Sequence, residues 1–348
     1  MSAFALLASA LLPSCTFGYV VRSGIYQAEL LASREPIDEV LADGGLAAGE
    51  EQRLRLVPEI KAYGKTLGLK STENYDTLAV GWDRTIWNLS ACEELSFQPV
   101  TWWFPVVGRV PYLGFFDVDE ARAREQLLKE QGYETHLRTA GAYSTLGWFR
   151  DPVLPGMLRW PESDLAETVF HELAHATLWI PGSVSFNESF ASFVGEAAAK
   201  SYLAHKYGPD APETQEYLRA ERDYVRFEKL LHGLYRDLDE LYGDPKRTDE
   251  EKRTKKAELY NSLQARVVAS DIEDRDRYLA ALRRSPWNNA RLMQFRTYNT
   301  NEQAFEALYA ARGGDLLAFV GAVDEATRGQ PDPFAAIEAA AAAVVKNP

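Results

Sequence analysis

The segment DLAETVFHELAHATLWIPGSVSFNESFA, residues 164–191, carries the fold and the chemistry. Within it His171-Glu172-Leu173-Ala174-His175 fits the H-E-x-x-H pattern. On a helix, positions i and i+4 share a face, so both imidazoles reach one ion. Glu172 stands about 100° round from His171, beside the ion, where a general base takes a proton from bound water. Zinc lowers the pKa of such water to about 7, which makes hydroxide available at neutral pH. Leu165, Val169, Leu173 and Ala176 supply an apolar face, and Asp164 to Glu167 reads as a capping signal. The motif therefore sits inside a credible buried helix, against the alternative of two structural histidines with no metal to bind.

A catalytic zinc needs a third protein ligand and an open fourth position. Pro181-Gly182 stops the first helix after Trp179-Ile180, and a second begins near Asn187-Glu188. Folded back, that helix presents Glu188 to the histidines, so the expected zinc ligands are His171, His175 and Glu188. The competing reading is that Ser185-x-x-Glu188 is a capping box. Glu167, one turn before His171, is a cap, a partner to a ligand or an anchor for a substrate amine. Glu196 supports the ligands or belongs to a solvated face. His136, His205 and His232 have no partner at ligand spacing.

The rest of the chain is consistent with an ordinary globular protein. Its 348 residues suit one large or two modest domains, and 46% hydrophobic with 26% charged residues can bury a substantial core. The net charge of -13 and the lack of a basic stripe argue against nucleic-acid binding. Residues 15–77 read as a helical N-terminal part, punctuated at Pro36 and Gly44-Gly45. Residues 78–160 form a sheet region. There the runs from Val100 and from Val110, separated by Gly108-Arg109, suggest two neighbouring strands; a helix over 119–131 closes at Gly132, and 136–149 is extended. Residues 161–207 are the zinc-binding helix pair, and 208–348 a helical C-terminal part with a charged tip at 244–256 and an alanine-rich tail. Strands followed by helices predict a single α+β domain over 15–348 with one small sheet.

The first residues differ from the rest. Ala3 to Leu12 is an unbroken small and apolar run leading to Leu12-Pro-Ser-Cys15, too short to span a bilayer but long enough for a signal-peptide core. The pattern resembles a bacterial lipoprotein cleavage site, with 1–14 removed and Cys15 lipidated. Pro13 and the lack of a preceding Lys or Arg depart from it, and a frayed N-terminal helix is the alternative. A lipidated Cys15 leaves Cys92 alone; a Cys15–Cys92 bridge is the other possibility.

With H-E-L-A-H followed by N-E-S-F-A, the chain resembles a gluzincin, whose third zinc ligand is a glutamate; the gap between His175 and Glu188 is shorter than usual there. As a whole it is similar to bacterial lipoproteins described as predicted zinc aminopeptidases. The resemblance is carried by Leu30 to Leu41, Trp103 to Gly108, Ala142 to Phe149 and His171 to Gly195. It implies a zincin-like fold, one Zn2+ per chain, and peptide substrates cleaved from the N-terminus. It also implies a place in the cell envelope on the periplasmic side of the outer membrane, touching membrane only through the N-terminal lipid. Spacing by itself implies only a metallohydrolase. Gluzincins hold substrate along a sheet edge, which makes Tyr143, Ser144, Thr145, Leu146 and Gly147 the candidate edge strand, with a plain core strand as the alternative. Tyr298 and Arg291 are candidate oxyanion donors or packing residues. An envelope endopeptidase, a non-enzymatic lipoprotein with structural zinc and a hydrolase of non-peptide amides are the rival functions.

Overall fold

The computed structural model describes the backbone of residues 5–104, 108–140, 150–298 and 302–346, and side chains over 18–19, 21–104, 109–140, 150–296 and 303–344. In order, the N-terminal elements are α1 (Ala5–Ala32), β1 (Arg34–Pro36), α2 (Ile37–Asp43) and α3 (Ala48–Thr66). The sheet region holds β2 (Thr77–Ala79), β3 (Trp87–Cys92), β4 (Trp102–Phe104), β5 (Gly108–Val110), β6 (Tyr112–Phe115), α4 (Val118–Glu130) and β7 (Glu134–Thr139). A 3-10 turn at Pro155–Arg159 precedes the helices α5 (Glu162–Thr177), α6 (Val184–Tyr207), α7 (Pro212–Gly243), α8 (Asp249–Val268) and α9 (Arg275–Arg284). The chain continues with α10 (Asn289–Tyr298), α11 (Glu302–Ala311), α12 (Leu316–Thr327) and α13 (Pro333–Lys346). The chain is thus a mixed α+β protein, mostly helical. No described helix is long and apolar enough to cross a membrane.

Among the described residues the expected single sheet is instead three small antiparallel ones: β1–β2, β4–β5, and β6–β3–β7 with β3 central. Proline explains two of the departures. Pro36 disfavours helix for the residue before it, so 34–36 runs extended and pairs with 77–79 in what reads as helical sequence. Gly108-Arg109, expected as a turn, lies in β5 opposite Phe104 and Trp103. Pro111 then separates β5 from β6, and the chain changes sheets there to lay β6 against β3.

Period-two patterning orients the central sheet. Leu89, Leu113 and Leu137 share one row, and Ala91 and Phe115 lie on the same face. That face packs on Ala121 and Leu128 of α4. Asp117 caps α4, accepting from the Asp119 and Glu120 amides. The largest core surrounds α5 and α6 and draws in α2, α3 and α11 to α13, while α7 to α10 form a second core.

A buried polar joint ties that second core to the sheet. Asn289, fully buried, donates through Nδ2 to the Glu93 and Glu94 carbonyls at 3.1 and 2.9 Å and accepts from the Tyr242 and Tyr260 hydroxyls, both at 2.8 Å. Its amide and the Lys256 ammonium both donate to Glu134, at 2.7 and 2.6 Å. Beside them Cys92 is free and buried, so no Cys15–Cys92 bridge is made; burial, with Glu134 adding, pushes its thiol up to about 12. The side chain of Cys15 lies outside the described residues. Asn289→Ala leaves several buried groups unpaired and is expected to cost at least about 2 kcal/mol, read from urea denaturation.

Candidate metal centre

Helices α5 and α6 form an antiparallel hairpin whose two faces meet at the motif. Leu165, Val169, Phe170 and Leu173 are buried, as their spacing requires. The start of α5 corrects the capping expectation: the helix begins directly after Pro161, and Asp164 sits inside its first turn without capping it. Proline's fixed φ starts the helix three residues early, and the acids then favour its positive end. At the hairpin's open end, Glu162 of α5 accepts from Lys206 at 2.8 Å and from Tyr207 at 2.7 Å, both at the end of α6.

The connection between the helices is pinned by Asn187. Its Oδ1 accepts from the Ile180 amide at 2.9 Å and its Nδ2 donates to the Ile180 carbonyl at 2.8 Å. Helix α6 begins at Val184, with Ser183 at its cap position. Ser185 is therefore not the cap, and the capping-box alternative for Glu188 is not realised. Closeness comes from glycine. A Cβ on Gly195 would lie 2.9 Å from the Glu167 carbonyl oxygen and 3.3 Å from His171 Cβ. On the other side of α5, a Cβ on Gly64 of α3 would lie 3.0 Å from Leu173 Cδ1 and 3.1 Å from Phe170 Cε1. Both flanks of the motif helix are thus packed too tightly for a side chain.

The hairpin brings together His171, His175 and Glu188, with one donor atom from each lying within 4.8 Å of the others. The two Nε2 atoms are 3.0 Å apart, and Glu188 Oε2 is 3.4 Å from His171 Nε2 and 3.7 Å from His175 Nε2. Bonds of about 2.0–2.1 Å in a tetrahedron place ligand atoms roughly 3.3 Å apart, so the donor set fits zinc in both chemistry and spacing. Burial raises the Glu188 carboxyl, but hydrogen bonds from both imidazoles outweigh it and hold the group down to about 2. Burial depresses His171, and Glu188, Glu172 and Glu167 together more than reverse that, raising it. His175 Nδ1 is enclosed without a hydrogen-bond partner.

One turn deeper, burial pushes the Glu167 carboxyl up to about 7, Asp164 adding to the effect while the Tyr217 hydroxyl, donating at 3.1 Å, opposes it. Glu167 caps nothing; it backs His171 and meets α7 through Tyr217. Glu196 lies on the same side, its carbonyl 3.5 Å from the Tyr217 hydroxyl. His205 stacks on Tyr63 and His232 packs against Phe295, away from the cluster.

Several neighbours of the site carried no motif. Tyr112 keeps 37% of its surface exposed, yet surrounding protein, then the charges of Glu188 and Glu172, push its phenol up to about 12 while Arg138 opposes them. Tyr75 is fully buried at φ 61°, its hydroxyl has no partner among the described residues, and burial followed by Glu172 and Asp151 raises its pKa well above normal. Its backbone is anchored where its amide donates to the Asp151 carbonyl at 2.7 Å. A bulky residue in that left-handed conformation is a strained outlier of the kind found near functional sites. The alternation Glu134, His136, Arg138 along β7 was the one available signal for this wall; Tyr75 had none.

Tyr143 to Gly147 lie outside the described residues, as does the side chain of Tyr298 in α10. Arg291 stacks its guanidinium 4.2 Å over Trp287 and donates to the Ser285 carbonyl, contacts that belong to packing.

Two outcomes follow from this geometry. Gly195→Ala must push α5 from α6, at an expected cost of about 1–3 kcal/mol by thermal denaturation. Burial, reinforced by Arg291 and Arg138, holds the His136 imidazole down to about 4. The unfolded chain takes up that proton near pH 6.5, so stability from this group is full above about 6.5 and falls as pH drops towards 4. His136→Asn should flatten that part of the urea-midpoint profile.

No curated protein and no solved structure matches the chain. One family model does, over residues 18–333, which contain the whole helical hairpin and the sheet facing it. The chain belongs to the family described as "Putative aminopeptidase".

Proposed function

We propose that this chain is a zinc-dependent peptide hydrolase, an aminopeptidase in keeping with its family, that holds one zinc ion through His171, His175 and Glu188. The observation that carries the proposal is the convergence of two imidazoles and one carboxylate within 4.8 Å, with Glu172 on the helix turn between them. Among the described residues no fourth acid, histidine or cysteine joins the group, as a catalytic site requires. Zinc bound there would act as a Lewis acid towards the attacking water and the scissile carbonyl.

Glu172 is the general base. Its charge acts on His171, Tyr75 and Tyr112, so its carboxylate serves the space between the motif helix and the sheet. It takes the proton of the attacking water and returns it to the leaving amine. Glu188, held ionised by both histidines, keeps its oxygen aimed at the cluster. A lipidated Cys15 would anchor the enzyme at the envelope membrane.

The test is zinc content together with cleavage of free and N-acetylated peptides. Wild type is expected to bind one zinc and cleave only the free peptides. Glu172→Gln should retain zinc and lose at least about a hundredfold in kcat. Cleavage of acetylated peptides would make the enzyme an endopeptidase. Stoichiometric zinc without turnover of any peptide would sink the peptidase assignment.

A further inference from the structure

The face of the central sheet turned away from α4 carries a cation that the chemistry above does not use. Register places His136, Ser90 and Tyr112 in one row, and Arg138, Asn88 and Gly114 in the next on the same side, because the intervening row of leucines points to α4. Arg138 is half-buried, and its Nε is shut off from water without a hydrogen-bond partner. Among the described residues no carboxylate or carbonyl holds its guanidinium, in a chain with 51 acidic against 38 basic residues. Arginines elsewhere in this chain find acids readily, as Arg226 does with Asp223 at 2.9 Å and Arg266 with Asp237 at 2.6 Å. An arginine whose Nε is shut off from water without an acceptor forgoes one of its usual charge-assisted hydrogen bonds.

Arg138's position relative to the metal ligands identifies what it waits for. Tyr112, two strands away on the same face, feels the charges of Glu188, Glu172 and Arg138 together. Arg138 and the proposed reaction centre thus have Tyr112 as a common neighbour, with sheet register setting Arg138 one row along from it. Among the described residues, a Cβ on Gly114 beside it would meet only Asn88 Oδ1, at 3.7 Å. Extended peptide advances about 3.3–3.6 Å per residue, so a residue shortly past the cleaved bond can span a neighbouring side chain such as Tyr112. The planar guanidinium fork matches a carboxylate. We infer that Arg138 is the receptor for a substrate carboxylate on the leaving-group side of the cleaved bond, which makes the preferred substrates short peptides ending in a free carboxylate close to that bond. This inference rests on the peptide-hydrolase assignment. An acidic side chain at the same distance offers the same chemistry.

The test compares full-length wild type, Arg138→Gln and Arg138→Lys on three matched sets: di- and tripeptides with free carboxylates, their C-terminal amides, and amides carrying Glu or Gln after the cleaved bond. Wild type should favour free acids over amides by about ten- to a hundredfold in kcat/KM. In Arg138→Gln that ratio should fall to near one, and Arg138→Lys, which keeps the charge without the fork, should restore only part of it. A preference for Glu over Gln amides, lost in the same variant, would identify a side chain as the carboxylate's source. Calorimetric binding of the same peptides to Glu172→Gln, with and without Arg138→Gln, reads recognition without turnover. Wild-type cleavage of acids and amides at equal rates, or a preference that survives Arg138→Gln, overturns the inference while leaving the peptidase assignment standing. If no peptide is cleaved, that assignment fails, and the calorimetry alone decides: carboxylate binding lost in Arg138→Gln supports the receptor, and equal binding overturns it.

Discussion

Everything in the site depends on how closely α5 lies against α6. Histidines four residues apart on one helix supply two donors and no more; the third must come from a neighbour near enough for a short side chain to bridge. Gly195 permits that approach, because a methyl group in its place would press on the Glu167 carbonyl and the base of His171. Asn187 fixes the angle at which α6 leaves the turn, and Glu162 with Lys206 fastens the far end. The hairpin is held at both ends and in the middle. Glu188 stays near two imidazoles that would otherwise be a poorly compensated buried polar pair.

The same packing explains the electrostatics. Burying three ionisable donors costs free energy unless they satisfy one another, and they do so through the imidazole–carboxylate contacts that keep Glu188 ionised. Around them the chain places acids on the helical side, Glu167 and Glu172, and cations on the sheet side, Arg138 and Arg291. Tyr112 registers both.

Rigidity is unevenly supplied. The hairpin rests on a large apolar core, whereas the sheet is small and leans on α4 beneath and on the Asn289 joint at its edge. That joint spans from α10 to the 93–96 turn and β7, so the helical C-terminal part steadies the wall that faces the metal ligands. Tyr75, strained and with an unpartnered hydroxyl beside Glu172, is a local cost that the surrounding core over-determines.

Residues whose role is local were legible from sequence alone. H-E-x-x-H on an apolar-faced helix, Pro181-Gly182 as its stop and an early glutamate in the next helix are all encoded within 164–191, where helix geometry converts spacing directly into direction. The helix over 119–131 and the helical run after Pro161 follow from the same periodicity. What the tertiary structure alone decided is the pairing of distant segments. Among the described residues, two strand pairs and a three-stranded sheet stand in place of one sheet, because most of these strands are three or four residues long and carry too little pattern to name their partners, and prolines redirected them. Tyr75, Tyr112 and Arg138 come 96, 59 and 33 residues before His171 along the chain, and meet the site only through sheet register and core packing. No spacing rule connects residues so far apart, because the intervening chain follows no single repeat.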